Sequence, residues 1–248
     1  MSPPRDYLAA SGIAVDDYPF AWDAWESDAY YLTDAGADER LPLLTGKARL
    51  ALLIASAEWI VQRFSASGQH HEAVLYITAA WAGAVHPAYC VRVDLDESVW
   101  AGPVLGPLRA AITLLDNALH DLGTDPDPGR EAVWMRSLVR HVLNDPRPFD
   151  DWWEACMHRL LRFHAIDVEL AQRKPDLFEN FPSEGAPVPP QACDPGQAYD
   201  PAQNEAFWDA WLQGLDPGTN PFLASPGELP DDDELPGPPY RYRARQQP

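Results

Sequence analysis

Apolar residues recur at helical spacing through most of the first 180 positions. Over 46–67, Leu50, Leu53, Ile54, Ala57, Ile60, Val61 and Phe64 share one stripe at the 3.6-residue period. Leu52 and Trp59 fall on the opposite side, so this helix has two apolar faces and is expected between neighbours. Val74, Ile77, Trp81 and Val85 form a second stripe, ended by Pro87. Leu108, Ile112, Leu115, Leu119 and Leu122 form the cleanest one, with Gly123 placed to terminate it. Asp127-Pro128 marks the start of a helix carrying Val133, Leu138, Val139 and Val142. The last long stripe, over 149–173, carries Trp152, Trp153, Cys156, Leu160, Phe163 and Leu170. Only 88–95 alternates with period two, enough for one isolated strand or an extended linker. The pattern predicts an all-α protein: an antiparallel bundle of about five core helices, without an internal repeat.

The pattern breaks near residue 180. Fourteen of the 26 prolines lie in 181–248, a density that rules out long helices and central strands there. The chain is therefore expected to divide into a helical domain, 1–180, and a proline-rich acidic extension, 181–248. One island in the extension has a helix signature. Asp200 can cap, Pro201 suits the first helical position, and Phe207, Trp208, Trp211 and Leu212 follow at helical spacing up to Gly214. An arm with such an aromatic helix is expected to dock on the helical domain, because exposed tryptophan pairs are rare outside contacts.

Charge narrows the function classes. A formal net charge of −20 repels nucleic acid and anionic membranes and favours a basic partner, although it also serves solubility alone. No run of about 18 apolar residues exists, so no membrane span is expected, and the first residues lack a secretory leader pattern. Cys90, Cys156 and Cys193 are odd in number and form no C-x-x-C pair, which argues for reduced thiols in the cytoplasm. Phosphate-loop, dinucleotide-binding, nucleophile-elbow, zincin and EF-hand motifs are absent. No catalytic residue, cofactor or metal site is assigned from the sequence.

Two features carry candidate chemistry. On the 149–173 helix, Asp167 projects into the apolar arc with His164 at its edge, while Glu154 and His158 lie one turn apart nearer the polar side. A carboxylate facing a core needs a partner, and His164 or an arginine would serve. The four residues form a candidate polar site whose readings are a structural ion pair, a binding site, or metal and acid–base chemistry. The second feature is an echo: Trp22-Asp23-Ala24-Trp25 recurs as Trp208-Asp209-Ala210-Trp211. Either two amphipathic helices each bury a tryptophan pair, or Trp22, Asp23, Trp25, Trp208, Asp209 and Trp211 anchor a basic partner. The resulting expectation is an acidic cytoplasmic protein that neutralises or chaperones a basic protein, in the style of bacterial immunity proteins and effector chaperones. The alternatives are a homo-oligomeric assembly subunit using its arm, and an enzyme with a helical His/Asp site.

Overall fold

A computed structural model describes residues 6–13, 15, 18–20, 22, 37–121, 127–167, 169 and 183–225. Among them the chain is helical and has no strands. The helices are α1 (Asp6–Ala10), α2 (Gly46–Arg63), α3 (His71–Val85), α4 (Gly102–Asp121), α5 (Gly129–Val142), α6 (Arg147–His164) and α7 (Asn204–Gln213). Helices α2 to α6 pack together as the core, and α7 is the short C-terminal helix.

The centre is α2, which packs against α3, α4, α5 and α6. Its two apolar faces explain the position: Leu50, Leu52, Leu53, Ile54, Trp59 and Ile60 are all buried. Thr45 caps its start, accepting the Ala48 N–H at 3.3 Å. Arg63, in its last turn, is fully buried yet satisfied. It donates to the Val142 carbonyl at 2.9 Å and to Asn144 Oδ1 at 3.1 Å, and lies 4.8 Å from the centre of the Tyr18 ring.

Aromatic rings join the elements around Trp59. Its ring meets Tyr7 of α1 and Phe149 and Trp152 of α6 at centroid distances of 5.9, 5.4 and 5.6 Å. Removing such a ring from a closed core costs about 3–5 kcal/mol. Glu58 ties the same corner together, accepting from the Tyr7 hydroxyl and from Trp81 Nε1, both at 2.8 Å.

The segment that alternates with period two is not a strand of a sheet. Pro87–Tyr89 forms a 3-10 turn, Cys90 makes an isolated bridge with Leu223, and the chain then runs extended. Buried Asp116 of α4 holds this stretch by accepting from the Val93 N–H and the Tyr76 hydroxyl, each at 3.0 Å.

Residues 183–225 lie on the helices, and the prolines explain how. Each proline lacks an N–H, so a proline-rich segment carries more acceptors than donors and must draw donors from elsewhere. Helix α6 supplies them. Trp152 Nε1 donates to the Cys193 carbonyl at 2.9 Å, and the Arg159 guanidinium serves the carbonyls of Gln191, Asp194, Pro195 and Gln197 at 3.1, 2.5, 3.2 and 2.9 Å. Further along, Asn220 donates to the Leu75 carbonyl of α3 at 2.9 Å, and Phe222 meets the Tyr76 ring edge-on at 5.4 Å.

Candidate functional site

Most of the polar residues singled out from the sequence lie on or near α6. Its apolar face is made by Phe149, Trp152, Trp153, Cys156, Met157 and Leu160, whose 3- and 4-residue spacing turns one side inward. The remaining side chains divide between two separate polar centres.

The first centre gathers around Glu154. Its carboxylate receives two hydrogen bonds from Arg40, at 2.6 and 2.7 Å. Arg40 also donates to Asp38 through Nε at 2.8 Å and Nη2 at 2.7 Å, and Trp153 Nε1 donates to Asp38 at 2.8 Å. Arg136 lies over the Trp153 ring, 4.7 Å from its centre, and approaches Asp38 and Asp150 at 3.8 and 3.9 Å. Burial by itself would raise the Asp38 carboxyl, but the hydrogen bonds from Arg40 and Trp153 outweigh it and hold the group at about 2. The Asp38 hydrogen bond in turn pushes Arg40 up, and the bond from Arg40 lowers Glu154. These groups keep their charges across the neutral range, so the network positions α6 rather than exchanging protons. Beside it an open depression of about 350 Å³ has Leu41, Pro42 and Val133 as apolar walls and Arg49 and Asp127, which pair with each other, at its edge.

His158, one turn beyond Glu154, is exposed with Arg162 and Phe163 at a shallow surface depression. Glu154 and His158 therefore do not act together: their i, i+4 relation is spent on different surroundings.

The second centre lies at the end of α6. His164 Nε2 is 2.6 Å from the Tyr199 hydroxyl, which also accepts from Asn204 Nδ2 at 2.9 Å. The Asn204 amide nitrogen can only donate, so Tyr199 accepts there, and its hydroxyl either donates to a neutral His164 Nε2 or accepts a second hydrogen bond from it. Burial lowers His164 to about 4, consistent with the neutral ring. The chain Asn204–Tyr199–His164 thus links α7 and the arm to α6.

Asp167 differs from the sequence expectation. The 149–173 stripe predicts a helix that carries Asp167 into the core, but α6 ends at His164 and Ala165 is extended. The cause is tertiary: the Thr45 N–H takes the His164 carbonyl at 3.0 Å and the Ile166 N–H takes the Leu43 carbonyl at 2.8 Å, so the chain leaves the helix to form an isolated bridge with Leu44. Asp167 is exposed and accepts the Glu169 N–H at 2.8 Å; the partner of His164 is Tyr199.

The tryptophan echo is mainly a packing feature where it is described. Trp22 is buried against Gly106 of α4, where an added Cβ would lie 2.0 Å from Trp22 Nε1. Trp208 is buried and donates to the Pro187 carbonyl at 3.2 Å, with Trp211 edge-on to it at 5.7 Å. Trp211 and Asp209 are half-buried at the surface, and Asp23 and Trp25 lie outside the described residues. Sequence reasoning missed Asp38, Arg40, Tyr199 and Arg159; the contacts that join them across α6 span 32 to 115 positions and carry no spacing signal. Among the described residues no group of three or more His, Cys, Asp or Glu is placed to hold a metal ion, and no helix is long and apolar enough to cross a membrane. Comparison with family models, curated proteins and solved structures finds no match to this chain.

Proposed function

We propose that this is an acidic cytoplasmic binding protein that neutralises or chaperones a basic protein partner, as immunity proteins and effector chaperones do. One observation carries the reading: among the described residues many of the scarce bases are paired within the fold, while a larger number of carboxylates stand exposed. Lys47 is held by Glu184, Arg49 by Asp127, Arg40 by Asp38 and Glu154, Arg109 by Glu97 and Arg147 by Asp145. Arg63 and Arg159 are taken up by backbone carbonyls. Glu39, Glu72, Asp94, Asp151, Glu205 and Asp216 stand exposed. A net charge of −20 presented this way steers a positive partner inward and loses its reach as salt shortens the screening length to about 8 Å at physiological strength.

The reading rests on charge more than on the tryptophan pairs, since Trp22 and Trp208 are used by the core. Among the described residues, Trp211 and Asp209, half-buried at the surface of α7, are the members of the repeated segment left to meet a partner. The test is retention from a native-host extract on the immobilised full chain at low salt, with elution by a salt gradient and mass spectrometry of each fraction. The expected result is one basic protein, released in a narrow salt window at a ratio near one to one. A bare column, or a broad mixture of basic proteins leaving together, would count as solubility charge only and end the proposal.

A further inference from the structure

Two cysteines distant in sequence meet where the arm crosses α6. Cys156 lies on the buried face of α6 and Cys193 ends the 3-10 turn Pro190–Cys193; both are fully buried and reduced. Cys156 Sγ is 3.3 Å from the Cys193 carbonyl oxygen, so the two residues are in direct contact. Cys90 sits elsewhere, beside Tyr76 and bridged to Leu223. We propose that Cys156 and Cys193 are a latent disulfide pair, and that their oxidation fastens the arm to α6.

The same geometry says when the reaction occurs. Burial pushes the Cys156 thiol well above its ordinary value, so in the docked state Cys156 holds its proton and is a poor nucleophile. Reaction waits for the segment around Cys193 to lift, which breaks the Trp152 and Arg159 bonds to the carbonyls of residues 191–197. The oxidant is a low-molecular-weight disulfide. Cys193, carried outward, loses its proton to water and attacks one sulfur of that disulfide; the small S–S bond breaks, and one small thiolate leaves and takes up a proton. When the arm returns, Cys156 loses its proton and attacks the Cys193 sulfur, expelling the second small thiolate. Two protein thiols are oxidised, one small disulfide is reduced to two thiols, and the protons balance. The new bond closes the loop between residues 156 and 193, so re-opening then requires chain that is no longer free to move away.

The experiment treats the folded full chain with oxidised glutathione until a denatured control has lost all its thiols. Peptide mapping by mass spectrometry should find one joined peptide pair containing Cys156 and Cys193, with Cys90 still alkylatable. Cleavage of the arm by thermolysin should slow by about tenfold or more, and dithiothreitol should restore the original rate. The reagent's access is checked by Cys156→Ser, in which Cys193 should stop as a mixed disulfide with glutathione. Three free thiols in the treated native chain would overturn the proposal. So would a stable glutathione adduct on Cys193 of the unmutated chain, because it would mean that the sulfurs cannot meet, and so would a bond to Cys90.

Discussion

Arg159→Met tests what holds the arm, since methionine keeps much of the side-chain stem and removes the guanidinium. Arg159 donates to four arm carbonyls, at 3.1, 2.5, 3.2 and 2.9 Å; the bond to Gln197 is exposed and the other three are partly buried. A charged donor contributes about 1.5–3 kcal/mol to a well-buried acceptor and less where water can replace it. Taking about 1 kcal/mol for each partly buried bond and little for the exposed one gives a loss of about 2–3 kcal/mol in docking. At about 1.4 kcal/mol per factor of ten, the opening equilibrium of the arm rises roughly 30- to 150-fold. The assay is alkylation of the native chain, resolved by cysteine through peptide mass spectrometry. Cys193 and Cys156 should label faster by that factor, while Cys90, buried beside Tyr76, should keep its original rate. Unchanged labelling of Cys193 would refute the role given to Arg159. Equal acceleration at all three cysteines would show that the substitution loosens the whole fold instead of releasing the arm.

Gly106→Ala places a methyl 2.0 Å from Trp22 Nε1 inside α4, so the indole must leave its notch. The better helix propensity of alanine, about 1 kcal/mol, should not offset overpacking, and a net loss of about 1–2 kcal/mol with red-shifted tryptophan emission is expected in urea unfolding. For His164 the sign follows from burial: it sits at about 4 in the folded chain against 6.5 when free, so the unfolded chain binds its proton first. Stability should be full above pH 6.5 and fall as the pH drops towards 4, by about 1–2 kcal/mol once screening of this half-buried group is allowed for. His164→Gln should flatten that part of the stability–pH curve, and a slope equal to wild type would assign it to other groups. Asp38→Asn keeps an acceptor for Trp153 but leaves Arg40 and Arg136 facing a neutral group, and should cost about 2–4 kcal/mol at neutral pH. Because the Asp38 carboxyl is held at about 2, the difference from wild type should persist down through pH 4 and close only as the pH approaches 2.

Local pattern was sufficient where one helix face decides burial. The stripe through Leu50, Leu53 and Ile54, with Leu52 and Trp59 opposite, marked α2 as the central element, and all five are buried. The Asp200-Pro201 signature lies where it was expected: Asp200 accepts the Ala202 N–H at 3.0 Å and opens a 3-10 turn that leads into α7. Helix ends were less legible. The stripe starting at Leu108 did not show that α4 begins at Gly102, with Pro107 inside it, because two glycines and two prolines in Gly-Pro-Val-Leu-Gly-Pro read as a turn rather than a helix.

The composition and periodicity of the chain determined by themselves that it would be helical, acidic and proline-rich towards its C-terminus. Charge and proline content are fixed by composition, and the helical period is a property of neighbours within a turn or two, whereas helix ends are set by contacts. Only the tertiary structure decided which polar residues meet. It ended α6 at His164 because Leu43 and Thr45 offered backbone partners there, and so moved Asp167 to the surface. It gave Glu154 to Arg40, His164 to Tyr199 and Cys156 to Cys193. Such pairings are set by where separate elements touch after their apolar faces are buried, and a periodicity confined to one helix contains no term for them.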